Sequence, residues 1–212
     1  MSDEAQIAAL KQRAKAGDAA ALQALRDLGF FAAKNAAEDG WPVSAAQRRL
    51  WIVDQLMPGL PLYNIATALR LDGPLHVAAL RGALQALVER HETLRTTFVE
   101  RAGEPRQHVG PAASFALREM DVSGAPDPDA AAQTLAAEEA AAPFDLARGP
   151  LFRATLVKLG AERHLLLCTL HHIVSDAWSA GVLSRELAAL YGAGVAGRPN
   201  PLPPLAVQYR DF

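Results

Sequence analysis

A short, strongly apolar run stands at Leu165-Leu166-Leu167-Cys168-Thr169-Leu170. A run this short and this unbroken predicts a strand buried on both faces. Before it, Leu151, Arg153, Thr155, Val157 and Leu159 alternate with Phe152, Ala154, Leu156 and Lys158. Gly160-Ala161-Glu162 joins the two stretches, so they are expected to pair as an antiparallel hairpin. Other segments carry the helical period. Leu80, Leu84, Leu87 and Val88 mark one face of a helix over 75–91, with Pro74 at its start. Ser44 and Gln47 form an S-x-x-Q capping pattern ahead of a helix over 45–56, with Leu50, Val53, Asp54 and Met57 straddling its buried edge. Pro58-Gly59-Leu60-Pro61 ends that helix.

The remaining pattern fills the gaps. Ile65 to Leu71 predicts a strand closed by Asp72-Gly73, and 96–100 predicts one that turns at Gly103 into 106–109. A short strand over 114–120 leads into a loop over 121–129. A helix rich in alanine and glutamate follows over 129–141, and Pro143 stops it. The helix expected over 177–192 carries Val182, Leu183, Leu187, Leu190 and Tyr191. Pro199 to Pro204 is a stiff connection, and Leu205 to Phe212 begins a further segment. At the start, Gly17-Asp18 splits two short helices over 4–16 and 19–28. Their narrow apolar stripe is Ile7, Leu10, Leu22, Leu25 and Leu28, with Phe30 and Phe31 after it. Interleaved strands and helices give an α/β (α+β) class with a mixed sheet flanked by helices. No internal repeat is present at a period of 20–50 residues.

Composition narrows the function classes. Half of the 212 residues are hydrophobic, enough for a packed core, and a net charge of −2 with interspersed signs points to neither nucleic acid nor membrane as a partner. The single cysteine, Cys168, forms no internal disulfide and is expected to pack as a small apolar residue. No signal-peptide core and no long apolar span occur, so the expected setting is cytoplasmic.

The chemistry concentrates where the buried run ends, at His171-His172-Ile173-Val174-Ser175-Asp176-Ala177-Trp178-Ser179. Neighbouring residues on a strand face opposite sides, so one histidine is expected to support the structure and the other to work. Three readings stand side by side. The pair is buried and hydrogen-bonded, or it binds a metal, or one ring is a general base or positioning imidazole. A metal would want a third ligand at a fixed spacing, which His76, His91, His108 and His164 do not offer. An ordinary imidazole titrates near pH 6.5, which suits proton transfer.

HHIVSDAWS resembles the HHxxxDG motif of the condensation domains of nonribosomal peptide synthetases, in the superfamily of chloramphenicol acetyltransferase. Ala177 stands where that family usually has glycine. Ser44 to Trp51 is similar to the family's S-x-A-Q-x-R-L-W motif, and Arg90 to Phe98 to its R-H-E-x-L-R-T-x-F motif. The resemblance spans about Trp41 to Phe212. It implies an N-terminal lobe over 41–212 whose C-terminal lobe is absent, and the alanine- and leucine-rich segment over 1–40 is read from its pattern as a helical extension, a possible docking element for an upstream synthetase. The resemblance also implies amide formation between groups carried as thioesters on phosphopantetheine arms by donor and acceptor carrier proteins, with no cofactor or metal bound by the domain itself. His172 then acts on the substrates, as a base or by positioning the amine. His171, Asp176, Arg95 and Arg90 support the site, with Asp176 inward and paired to Arg95. A solvated helix end is the plainer expectation for Arg90, His91 and Glu92, and core packing for Trp51. Two rival readings are a catalytically idle docking lobe and a coenzyme A-dependent acyltransferase of the same superfamily.

Overall fold

The computed structural model describes residues 3–15, 18–27 and 40–211. A four-stranded sheet has the order β2-β7-β6-β5, with β2 at Asn64–Asp72, β5 at Leu117–Asp121, β6 at Phe152–Gly160 and β7 at Arg163–His171. β7 pairs antiparallel with β6 and β2, while β5 runs parallel to β6. The hairpin expected around 160–162 is present. One face of this sheet is Phe152, Ala154, Leu156, Leu166 and Leu170. It packs against Leu80, Leu84 and Leu87 of α4 (Val77–Arg90) and Leu190 of α6 (Ala177–Val195). Leu84 is wholly buried, which contributes about 1.5–3 kcal/mol for a side chain of this kind.

The other face, with Val157 and Leu167, is covered by α5 (Pro128–Ala141) through Ala132. A helix this rich in alanine has little apolar area to fix its register, and polar groups do so at both ends. Asp127 caps the N-terminus, accepting from Ala130 N at 3.0 Å. At the other end Asn64 Nδ2 donates to the carbonyls of Ala140 and Ala142, at 2.8 and 2.9 Å. Arg153 donates to the carbonyls of Glu139, Ala142 and Pro143 and pairs with the Glu139 carboxylate at 2.7 Å. Those carbonyls are among the ones any helix leaves without partners.

A smaller sheet has the order β1-β4-β3, formed by Trp41–Pro42, Glu104–Val109 and Thr96–Arg101. With α3 (Ala45–Leu56) it encloses a second cluster, in which Leu50, Phe98, Phe144, Leu146 and Leu151 meet Ile173 and Val174. Trp51 packs on this cluster, as expected for core. The N-terminal helices, α1 (Asp3–Lys15) and α2 (Ala19–Asp27), pack on one another through Ala14, Ala21 and Leu25, and on Val207. Asp18 caps α2, as expected. Gly17, Leu28, Phe30 and Phe31 lie outside the described residues.

Element bounds depart from the periodicity in a few places, each with a local cause. β5 begins at Leu117 rather than 114. Phe115 N donates to Gln85 of α4 and the Phe115 ring stacks on Phe152 at 5.0 Å, so these residues leave the strand line. α4 is capped by the His76 ring, which accepts from Ala79 N at 3.1 Å, so Pro74 lies outside the helix. α6 continues past Gly192 to Val195. A Cβ on Gly194 would sit 3.3 Å from Ala79 Cβ, so close approach to α4 explains this glycine.

Replacing Asn64 with alanine leaves the Ala140 carbonyl without its donor. The expected cost is about 1–3 kcal/mol, seen in urea unfolding as a lower midpoint at unchanged slope.

Candidate functional site

The end of β7 divides the two histidines. His171 is the last strand residue and is buried, with Ile173 N donating to its Nδ1 at 3.1 Å. Tyr63 and Phe144 present their rings edge-on at 6.2 and 6.1 Å. Burial, with the neighbouring His172 ring as a smaller cause, pushes the His171 pKa down to about 4. At neutral pH the ring is uncharged. His172 lies one residue beyond the strand, is exposed, and donates its backbone N–H to Tyr63 O at 2.8 Å. Its Nδ1 is 2.8 Å from the Ser175 carbonyl. A carbonyl only accepts, so Nδ1 carries the hydrogen and the lone pair of the neutral ring is on Nε2.

The loop after His172 is buried yet presents three carbonyls in succession, each held by a side chain. Gln47 Nε2 donates to Ile173 O at 3.3 Å, Thr93 Oγ1 to Val174 O at 3.2 Å, and the His172 ring to Ser175 O. Gln47 is 2 % exposed. Its Oε1 closes the expected capping box with Ser44 N at 3.0 Å, and its Nε2 also meets Gln107. The three stretches singled out in the sequence therefore converge on this loop. Thr93 occupies the variable position of R-H-E-x-L-R-T-x-F, so no sequence signal marked it.

Asp176 is not where it was expected. It is the exposed N-cap of α6, and its Oδ1 accepts from Ser179 N and Ser179 Oγ, both at 2.7 Å. The Ser179 hydroxyl first, and then its backbone N–H, hold the carboxyl below the usual range. No Arg95–Asp176 pair forms. Arg95 donates to Gly110 O and lies 3.7 Å from Glu92. A cap next to a helix start satisfies this aspartate without an arginine. Arg90, His91 and Glu92 are not a solvated helix end either. Arg90 and His91 both meet Glu186 of α6, at 3.1 and 2.6 Å, and the Arg90 and Glu186 side chains are only 12 and 13 % exposed. Glu92 pairs with Arg210 at 2.8 Å, and Gln208 bridges Glu92 N and Arg90 O. This second motif thus fastens α6 and the segment 203–210, a role for Glu186 and Gln208 that spacing could not indicate.

Above the loop is a groove of about 670 Å³ whose lining includes His172, Tyr63, Thr93, Trp178, Val182 and Leu205. Trp178 is 81 % exposed at its edge. Cys168 takes no part. Burial, with Glu139 as a smaller cause, raises its thiol to about 12. Among the described residues, no cluster of three or more His, Cys, Asp or Glu is placed to hold a metal ion.

Two stability measurements check this geometry. The His171 value lies below the ordinary 6.5, so the unfolded chain protonates first as pH falls. Stability tied to the neutral ring is complete above about pH 6.5 and is lost on the way down to about pH 4. His171→Asn, whose Oδ1 also accepts from Ile173 N, is expected to flatten the decline in melting temperature across that window. An identical decline would refute it. Asp176→Ala is expected to cost about 0.5–2 kcal/mol as a lost cap. Arg95→Ala should add to it independently, and a coupling above about 2 kcal/mol in the double-mutant cycle would point to a direct pair after all.

Comparison with known proteins agrees with the convergence of these motifs. The family model of the Condensation domain matches residues 37–212. Phosphinothricin tripeptide synthetase PhsC of Streptomyces viridochromogenes is 48% identical over 173 residues, covering 81% of this chain and 16% of that protein. Malpibaldin synthetase of Mortierella alpina is 45% identical over 171 residues, covering 80% of this chain and 3% of its own length. Among solved structures, the starter condensation domain of rhizomide synthetase RzmA superposes with a TM-score of 0.72 at 29% identity, covering 77% of this chain and 40% of that one. A mutant of that domain has been solved in complex with C8-CoA and Leu-SNAC. The X-domain from teicoplanin biosynthesis gives a TM-score of 0.72 at 37% identity, covering 80% of this chain and 36% of that one. The chain therefore spans a small part of the synthetases it matches and about two fifths of the solved domains. On the strength of the family match and these identities, the chain belongs to the condensation-domain family.

Proposed function

We propose that this chain is part of a condensation domain that forms an amide bond in nonribosomal peptide synthesis. The donor is an acyl or aminoacyl thioester and the acceptor an aminoacyl thioester, both on phosphopantetheine arms of carrier proteins. The observation that carries the reading is His172: exposed at a groove, with Nδ1 engaged by the Ser175 carbonyl and the lone pair therefore on Nε2. The complex of the related starter domain with C8-CoA and Leu-SNAC supports the same pair of thioester classes. Coenzyme A there has the same thioester chemistry as a carrier arm, and the kinship with much longer peptide synthetases favours carrier-bound substrates here.

In this reading the neutral acceptor amine attacks the donor carbonyl. A free α-amino group titrates near 7.7–8.0, so much of it is uncharged at neutral pH. Its N–H donates to His172 Nε2, which takes the proton as the C–N bond forms. The C–S bond then breaks, and the proton passes from Nε2 to the departing thiolate. His171 contributes no proton. It packs the loop from below while Asp176 fixes the start of α6. The exposed Trp178 and the open side of the groove suit a second wall, which we assign to a further lobe of the same domain.

The test uses the full domain with loaded donor and acceptor carriers, and mass spectrometry of the tethered product. His172→Ala is expected to lower the rate about 10²–10⁴-fold while the chain still folds, with a melting temperature lowered only by the loss of the donor to the Ser175 carbonyl. A rate within a few-fold of the parent would refute the assignment.

A further inference from the structure

We infer that Thr93 is a positioning residue for His172, acting through the Ser175 carbonyl. The inference rests on the reading of His172 as the reactive residue. The useful form of that ring carries its hydrogen on Nδ1, whereas a free neutral imidazole side chain favours the hydrogen on Nε2. The Ser175 carbonyl, 2.8 Å from Nδ1, is what reverses the preference. That carbonyl acts only if the peptides on both sides of it are held.

Downstream, the fixed point is the start of α6. Asp176 caps Ser179, and Ala180 N donates to Asp176 O at 3.0 Å. Upstream, the fixed point is Val174, which is 6 % exposed. Its N–H donates to His171 O at 3.0 Å, and its carbonyl accepts from Thr93 Oγ1 at 3.2 Å. Thr93 is itself fixed, because the turn Glu92–Arg95 that carries it is fastened through Glu92 to Arg210 and Gln208. A buried carbonyl stripped of its donor turns toward another one. Removing the Thr93 hydroxyl therefore releases the 174–175 peptide, and the Ser175 carbonyl swings away from Nδ1. The ring then reverts to the form with its hydrogen on Nε2, where no lone pair is left to receive a proton from the groove side. Thr93 touches no reacting atom; it governs which nitrogen of His172 is basic.

The experiment is done on this chain with ¹⁵N-labelled histidine, reading the two ring nitrogens of His172 from long-range ¹H–¹⁵N correlations in alkaline buffer. The parent is expected to show the Nδ1–H form as the major species. Thr93→Val, which keeps the shape and removes the hydroxyl, should shift the population toward Nε2–H, and Thr93→Ser should restore it. Thr93→Ala serves if the valine variant does not fold. An Nε2–H ring in the parent, an unchanged population in a folded valine or alanine variant, or no recovery with serine would each overturn the proposal. A full domain with His172→Ala that still forms amide would instead refute the role of His172 and leave the tautomer result standing.

Discussion

The structure turns on three consecutive backbone carbonyls. A loop that leaves the centre of a sheet and stays buried must find donors for Ile173, Val174 and Ser175, because orphaned buried carbonyls are costly. A helix would supply them from its own backbone and a strand from its neighbour's. Here the donors are side chains, two from other elements and one from the loop's own start: Gln47 on α3, Thr93 in the turn before β3, and the His172 ring. The same requirement that makes the loop foldable also decides the hydrogen position on His172. Stability and chemistry share one set of hydrogen bonds, so neither is tuned without the other.

Support beneath this loop is layered. Ile173 and Val174 close the second apolar cluster, His171 fills the space between Tyr63 and Phe144, and Arg90 and His91 grip Glu186 to set the angle at which α6 leaves. His171 is kept neutral by its surroundings, which avoids placing a charge beside His172. The two adjacent imidazoles thus meet opposite environments, one buried at the last residue of β7 and one exposed just past its end.

Much of the scaffold was legible in the pattern of apolar positions. The β6–β7 hairpin, the buried run of β7, the core face of α4 and the capping box at Ser44 and Gln47 all follow local rules with strong periodic or stereochemical signals. That the two adjacent histidines meet different surroundings was expected from parity, whereas the roles given to His171 and His172 came from the family resemblance. What local rules could not supply was the partner of each polar side chain. Asp176 looked like a buried charge needing an arginine, yet its nearest donors were two groups of Ser179, three residues on. Glu186 sits on a helix face with no motif around it, and Thr93 is a tolerant position between tight ones. Their roles depend on elements far apart in sequence meeting at one loop.

Pairing of β2 with β7 has a consequence for how the molecule is made. Asn64 lies opposite His171, and Asp72 opposite Arg163, so contacts on this edge join residues about a hundred positions apart. The β6–β7 hairpin forms locally, but the backbone of His172 is anchored to Tyr63, just before β2. Closing that long loop carries a large entropic cost before any contact offsets it. The anchor of His172 therefore belongs to the sequence-distant contacts, which are the slow ones to form. A chain still emerging from synthesis carries β2 with an unpaired edge until β7 arrives, a period in which any other exposed strand is a competitor for the same edge.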